Sequence, residues 1–317
     1  MTVTAQQVKE LREATGVGMM DCKKALAETG GDMDAAVDWL RTRGLAKAAK
    51  KAGRVAAEGL VGITTDGPKG AIVEVNSETD FVARNEQFQG IVGSVAKLAV
   101  DANGSVEKLA EMPFPGTGRS VAAELADAIA KIGENMNLRR SAVIEVKNGV
   151  IGSYVHNTVK PGMGKLGVLV GIESTGDKGV LAGLGKQLAM HIANTNPLSV
   201  SPDDIDPAVV AKEREIFTEQ AKESGKPAEV IAKMVEGRVR KFFEESTLLA
   251  QTFVIDGESK VRDIVAKAEK EAGAPIKVTK FVRYALGEGI EKEATDFAAE
   301  VAATSGVSQQ PKPNGKA

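Results

Sequence analysis

"GLVGITTDGPKGAIVEVNSETD", residues 59–80, and "GVIGSYVHNTVKPGMGKLGVLVGIES", residues 149–174, follow one pattern. In each, Gly-x-x-Gly opens a first strand, a turn with Gly and Pro follows, and an apolar run ("AIVEV", "LGVLVGI") forms a second strand. A helix with small residues comes next in both: "FQGIVGSVAKLAVDAN" at 88–103 and "GVLAGLGKQLAMHIANTNP" at 179–197. This internal repeat predicts an α+β fold with two related core subdomains, each a hairpin backed by helices. The first copy carries a second helix, "RSVAAELADAIAKIGE", before strand pattern resumes in "RRSAVIEVK".

Outward from the repeat, residues 1–44 read as three short helices. Thr4 can cap the first, whose stripe is Val8, Leu11 and Ala14, with Gly16 at its end. "DCKKALAET" is the second, and Asp32 caps "MDAAVDWLRTR", where Ala36, Val37 and Leu40 share a face. Residues 45–58 are Ala-rich and carry Lys47, Lys50, Lys51 and Arg54. They read as a solvated helical linker rather than a nucleic-acid patch, because no aromatic is interleaved to stack on bases. Residues 203–250 have helical period on both sides of "SGKP", which predicts an inserted antiparallel helical hairpin, a coiled coil. Its seam would bring Val210, Phe217 and Ala221 against Val230, Met234 and Phe242. Whether this arm is structural or an interaction surface the residues leave open. A helix, "KVRDIVAKAEKEAG", and a strand, "PIKVTKFVRYAL", complete the second subdomain.

The expected division is therefore a bundle at 1–44, a linker at 45–58 and core subdomain 1 at 59–146. Core subdomain 2 takes 147–202 and 251–286, interrupted by the hairpin at 203–250. A C-terminal helical module at 287–304 and a polar tail at 305–317, expected to be disordered, close the chain.

Composition limits the function classes. The 317 residues include only one Trp and two Tyr, so Ala, Val, Leu and Ile must build the cores. A net charge of −2 gives no general attraction to nucleic acid or to an anionic membrane. Cys22 is the single cysteine, which excludes an internal disulfide and suits a reducing, cytoplasmic location. No stretch reaches the roughly 18 apolar residues of a membrane span. An enzyme site cannot be assembled: His156 and His191 with Cys22 make no metal cluster, and no nucleophile elbow or dinucleotide fingerprint is present. "GVLAGLGKQ" departs from a phosphate loop, with one residue too many before Gly185 and Gln187 in place of Ser or Thr. Helix packing explains its glycines better. The chain is expected to bind rather than to catalyse covalent chemistry, with no cofactor of its own.

"TDF" occurs twice. In "GIEKEATDFAAEVAA", Ile290, Ala294, Phe297 and Val301 recur at helical spacing, which makes Phe297 a helix-face residue. Thr79, Asp80 and Phe81 instead follow a strand end directly. Asp80 could cap the next helix with Phe81 folded back as a staple. The other reading is a ring and a carboxylate presented to a partner.

"VKELREATGVGMMDCKKAL", "GGDMDAAVDWLR", "AAKKAGRVAAEG", "VNSETDFVARNEQF", "MVEGR" and "GEGIEKEATDFAAEVAA" stand in one order along the chain. Together they resemble the bacterial elongation factor Ts family from the first helix to the last. The resemblance implies a ubiquitin-associated-like N-terminal bundle, a two-part core, a coiled-coil arm that can mediate self-association, and guanine-nucleotide exchange on the GTPase elongation factor Tu. It further implies that Asp80 and Phe81, flanked by Thr79 and Val82, enter the partner's G domain near its Mg²⁺ and phosphate site. Arg12, Met19 and Met20 would lean on the same domain, and His156 in "GSYVHN" would touch the partner, which is met through its G domain and a further domain. The alternatives are a scaffold that binds without affecting nucleotide and, less favoured by the charge, an RNA binder using 47–54.

Overall fold

The computed structural model describes residues 3–15 and 17–291. Gly16, Phe297, the tail and all of the 287–304 module beyond Glu291 lie outside the described residues. Three helices come first: α1 (Ala5–Thr15), α2 (Met19–Glu28) and α3 (Met33–Lys51). Thr4 Oγ1 accepts from Gln7 N at 3.2 Å, and Asp32 accepts from Ala35 N at 2.9 Å, so both expected caps form. Leu11, Cys22, Ala25, Leu26, Ala36 and Leu40 make a small core, with Val8 and Trp39 packed against it. Ala14 and Val37 are exposed, because three short helices enclose only a narrow stripe of each. α3 is longer than its apolar face predicts. It continues through the basic 45–51 segment, and Ala48 is buried against the first subdomain.

β1 (Glu58–Asp66) and β2 (Lys69–Ser77) form the first hairpin, followed by α4 (Glu86–Leu98), α5 (Val106–Glu111) and α6 (Val121–Ile132). β3 (Met136–Glu145) then returns beside β2. The second copy repeats this plan. β4 (Gly149–His156) pairs with β6 (Leu166–Glu173), and α7 (Lys178–Thr195) follows. The intervening two-residue strand β5 (Met163–Gly164) joins the outer edge of β1. α8 (Pro207–Lys222) and α9 (Ala228–Ser246) form the inserted hairpin. α10 (Val261–Ala272) leads to β7 (Lys277–Ala285), which pairs with β6 as β3 pairs with β2. The sheet orders are β3-β2-β1-β5 and β4-β6-β7.

The two copies also agree in detail. Both central ladders carry a register shift, at Glu74/Val75 and at Gly171/Ile172, which marks a bulge. The first glycine of each Gly-x-x-Gly has a left-handed backbone, φ +120° at Gly59 and +146° at Gly149. The second serves packing: a Cβ on Gly62 would stand 2.8 Å from Val92 of α4, and one on Gly152 2.4 Å from the Gly185 backbone of α7. Gly185, in the stretch that resembles a phosphate loop, is thus a helix-packing glycine.

Burial explains the continuous apolar runs of β2 and β6. Ala71, Val73 and Val75 face α4 and α6, while Val168, Val170 and Ile172 face α7 and α10. The opposite faces of the two sheets meet through Val61, Ile72, Ile144 and Leu169. A central strand covered on both sides cannot alternate apolar with polar. The result is four layers, helices on sheet on sheet on helices.

The hairpin is antiparallel, with Arg214 bonded to Glu236 and Arg238 to Gln220. Its seam differs in part from the expected one. Val235 and Val239 are buried with Ala221, and Phe243 packs beside them, whereas Val230 is exposed and Phe242 is outside the cluster. The seam of α9 therefore starts one residue later than its apolar spacing suggests.

Candidate functional site

β2 ends at Ser77, opposite Met136 of β3. Beyond that point side chains replace the backbone ladder. The Glu134 carboxylate accepts from the Thr79 amide at 2.9 Å and from the Thr79 hydroxyl at 2.6 Å. Ser77 Oγ donates to the Thr79 carbonyl at 3.0 Å. Three residues further on, Val82 and Ala83 are buried in the first core at the start of a short 3-10 turn, Val82–Arg84. Gln89 Nε2 donates to the Ala83 carbonyl at 2.8 Å. Asp80 and Phe81 alone lie between these two anchors, and the Phe81 side is 74% exposed.

This geometry removes the cap-and-staple reading of Asp80 and Phe81. Asn85, not Asp80, caps α4, accepting from Phe88 N at 3.1 Å. Phe81 is no staple, because its ring packs into no core cluster. The Asp80 carboxylate reaches Arg84 at 3.7 Å, an exposed pair one turn apart. Such a pair contributes about 0–1 kcal/mol and is easily exchanged for a partner's charge. A large apolar ring held out of the core next to a loosely paired carboxylate is suited to insertion into another surface. Val82, expected beside them as a contact, instead anchors the loop from within.

The other expected contacts sit on separate elements. Met19 and Met20 open α2 and are 58% and 78% exposed, so neither plugs the bundle; Cys22 and Leu26 do. Arg12 is exposed on α1. Flexible, polarisable Met side chains suit an adaptable contact. His156 is exposed at the end of β4, where Nδ1 lies 3.0 Å from the Tyr154 hydroxyl. It borders a hollow lined by Leu166, Met190, Val254 and Ile255. His191 is buried behind this hollow. It bonds Gln251 through Nε2 at 2.9 Å and accepts from Val254 N through Nδ1 at 3.2 Å. Burial lowers its pKa against the Gln251 bond, so it is a neutral structural group.

Across from the Glu134–Thr79 bonds, the Glu78 carboxylate accepts from the Asn135 amide at 2.5 Å, and sequence reasoning missed all three of Glu78, Glu134 and Asn135. Glu78 and Glu134 fall in separate stretches 56 positions apart, and nothing in either stretch points to the other, so only the folded ladder brings them together. Among the described residues no His, Cys, Asp and Glu cluster could hold a metal ion. No helix among them is long and apolar enough to cross a membrane.

A family model described as Elongation factor TS matches residues 78–288. The chain belongs to the elongation factor Ts family. Elongation factor Ts of Rhizobium etli (strain CIAT 652) is 60% identical over 301 residues, covering 95% of this chain and 98% of that protein. Elongation factor Ts of Rhizobium meliloti (strain 1021) is 59% identical over 303 residues, 96% of this chain and 99% of the relative. Elongation factor Ts of Rhodospirillum centenum is likewise 59% identical, over 304 residues. The family match begins at Glu78, so it takes in the exposed loop, the helices and third strand of the first copy, and the whole of the second copy, while β1 and β2 lie before it.

Proposed function

We propose that this chain is the guanine-nucleotide exchange factor for elongation factor Tu, and that Asp80 and Phe81 are the groups it inserts. The observation that carries this reading is a 74% exposed phenylalanine on a loop anchored at the residues before and after it. In a GTPase, bound GDP is held by a phosphate loop and by Mg²⁺ bridging its oxygens. Phe81 wedged between elements of the G domain would shift the backbone that supports the Mg²⁺ shell. The Asp80 carboxylate, released from Arg84, would add charge beside that ion. GDP then leaves faster, and no covalent bond is made or broken.

Met19, Met20 and Arg12 would extend the contact on the G domain, and His156 with its apolar hollow would meet a further domain. Thr79 and Val82 hold the loop rather than touch the partner. Self-association, where it occurs, would use the outward Val209, Ile216 and Val230 of the hairpin.

Linkage separates exchange from a scaffold role. A factor that weakens GDP must itself be weakened by GDP to the same degree. Titrating GDP into the complex with elongation factor Tu should therefore raise the dissociation constant of this chain in step with nucleotide occupancy. An affinity that ignores GDP would establish scaffolding and remove the exchange reading.

A further inference from the structure

We infer that Glu134, through a reciprocal clasp with Glu78, is a positioning residue that fixes the exposed ring for exchange. The inference rests on the exchange reading above. Its starting point is where the β2–β3 ladder stops. Backbone pairing runs without a gap after the bulge to Ser77 opposite Met136, and the clasp lies just past that end. Glu134 takes the amide of Thr79, and Glu78 takes the amide of Asn135 at 2.5 Å. Each segment thus supplies an acid for the backbone of the other, one residue along. The strands are held side by side where they have begun to part.

The clasp is not needed to satisfy the ladder, which is complete without it. Thr79 is partly open to solvent, so water could serve its amide and hydroxyl. What the carboxylate adds is location: two hydrogen bonds stop the chain one residue before Asp80. With Val82 and Ala83 buried on the far side, the free span is two residues long. Preorganisation of this kind removes an ordering cost from the bound state.

The same junction also reaches the N-terminal bundle. Asn135 Nδ2 donates to the Arg54 carbonyl at 2.8 Å, the Arg54 guanidinium lies 3.5 Å from Glu78, and Lys51 at the end of α3 donates to the Gly133 carbonyl. The helix that carries the bundle and the loop that carries Phe81 are therefore tied to one turn. Glu134 and Asn135 set the position of both.

The test compares full-length wild type, Glu134→Ala, Glu134→Gln and Phe81→Ala on elongation factor Tu loaded with fluorescent GDP. The maximal release rate and the half-saturating concentration are read separately, with amide hydrogen exchange followed by segment. Glu134→Ala should lower the maximal rate roughly 5- to 30-fold, the scale of one or two net hydrogen bonds, with a smaller effect on half-saturation. Faster amide exchange should be confined to residues 79–82. Glu134→Gln should fall between, since its single carbonyl oxygen can accept only one of the two Thr79 bonds well. Wild-type rates for Glu134→Ala beside a slow Phe81→Ala would overturn the inference and leave the exchange reading intact. Amide exchange accelerated throughout β2 and β3 would also overturn it, by making Glu134 a stabilising residue only. A fully active Phe81→Ala would instead sink the insertion reading on which the inference rests.

Discussion

Phe81 and Val82 are neighbours with opposite surroundings: one ring stands in solvent, and the next side chain is buried in the core. Their substitutions should therefore separate function from stability. Phe81→Ala should change the unfolding free energy by no more than about 0.5 kcal/mol, as for exposed sites generally. Val82→Ala should cost on the order of 1–2 kcal/mol, because it removes buried methyl groups. Paired denaturant titrations check both values, and a large loss for Phe81→Ala would mean that the ring packs somewhere after all. Part of this was legible in the chain itself. A Phe beside an Asp, directly after a strand, pointed to Thr79–Phe81 as a site, but capping and presentation looked alike. They differ only in where the next cap lies, and Asn85 holds that place by a side-chain bond that local sequence does not advertise. The Glu78–Glu134 clasp was illegible, since it depends on the register of strands whose residues are far apart in the chain.

At the level of elements, the two Gly-x-x-Gly motifs carry the fold. Their first glycines start the strands with backbone that other residues rarely adopt, and their second glycines let a helix lie directly on the sheet. Gly152→Ala should destabilise the protein by about 1–3 kcal/mol, because a methyl 2.4 Å from the Gly185 backbone pushes α7 off its sheet. Chemical denaturation measures this, and an unchanged midpoint would show that the helix is free to move aside. The repeat was readable because its strand, turn, strand and helix follow one another closely. The strands that pair with the two hairpins were readable as strands, in "RRSAVIEVK" and "PIKVTKFVRYAL", but their equivalence was not, since β3 and β7 arrive after helices and only pairing reveals it. The hairpin seam was readable to within one residue. Two apolar neighbours such as Phe242 and Phe243 give a period that fits either face.

Across the whole molecule, the two halves are joined by the apolar layer between the sheets and by Glu74. This buried carboxylate sits within the apolar run "AIVEV" and bonds Arg139 at 3.1 Å, Arg140, Asn76 at 2.9 Å and the Gly287 amide at 2.8 Å. Arg140 continues to the Ala285 carbonyl at 2.8 Å and lies over Tyr284, so the end of β7 is fastened to the first sheet. Burial alone would raise the Glu74 pKa. The Gly287 amide, Asn76 and Arg140 outweigh it and hold the group below its ordinary value of 4.5. A lowered folded-state pKa contributes stability that is present above about pH 4.5 and is lost as pH falls through the folded value. Glu74→Gln should thus be roughly 2 kcal/mol less stable than wild type at pH 7, with the gap narrowing in acid below that point. Melting curves from pH 7 downward test this, and a gap independent of pH would contradict it. The sheet-on-sheet layer itself was hidden in the sequence. A strand buried on both faces reads the same whether its second cover is a helix or another sheet.

The measurement that bears most directly on the account is release of fluorescent GDP from elongation factor Tu, with catalytic amounts of wild type, Asp80→Ala or Phe81→Ala. Wild type should accelerate release. Phe81→Ala should lose about 2 kcal/mol of that effect, roughly 30-fold, while still binding the partner. Equal acceleration by all three proteins would contradict insertion of the exposed ring, and no acceleration by wild type would contradict exchange itself.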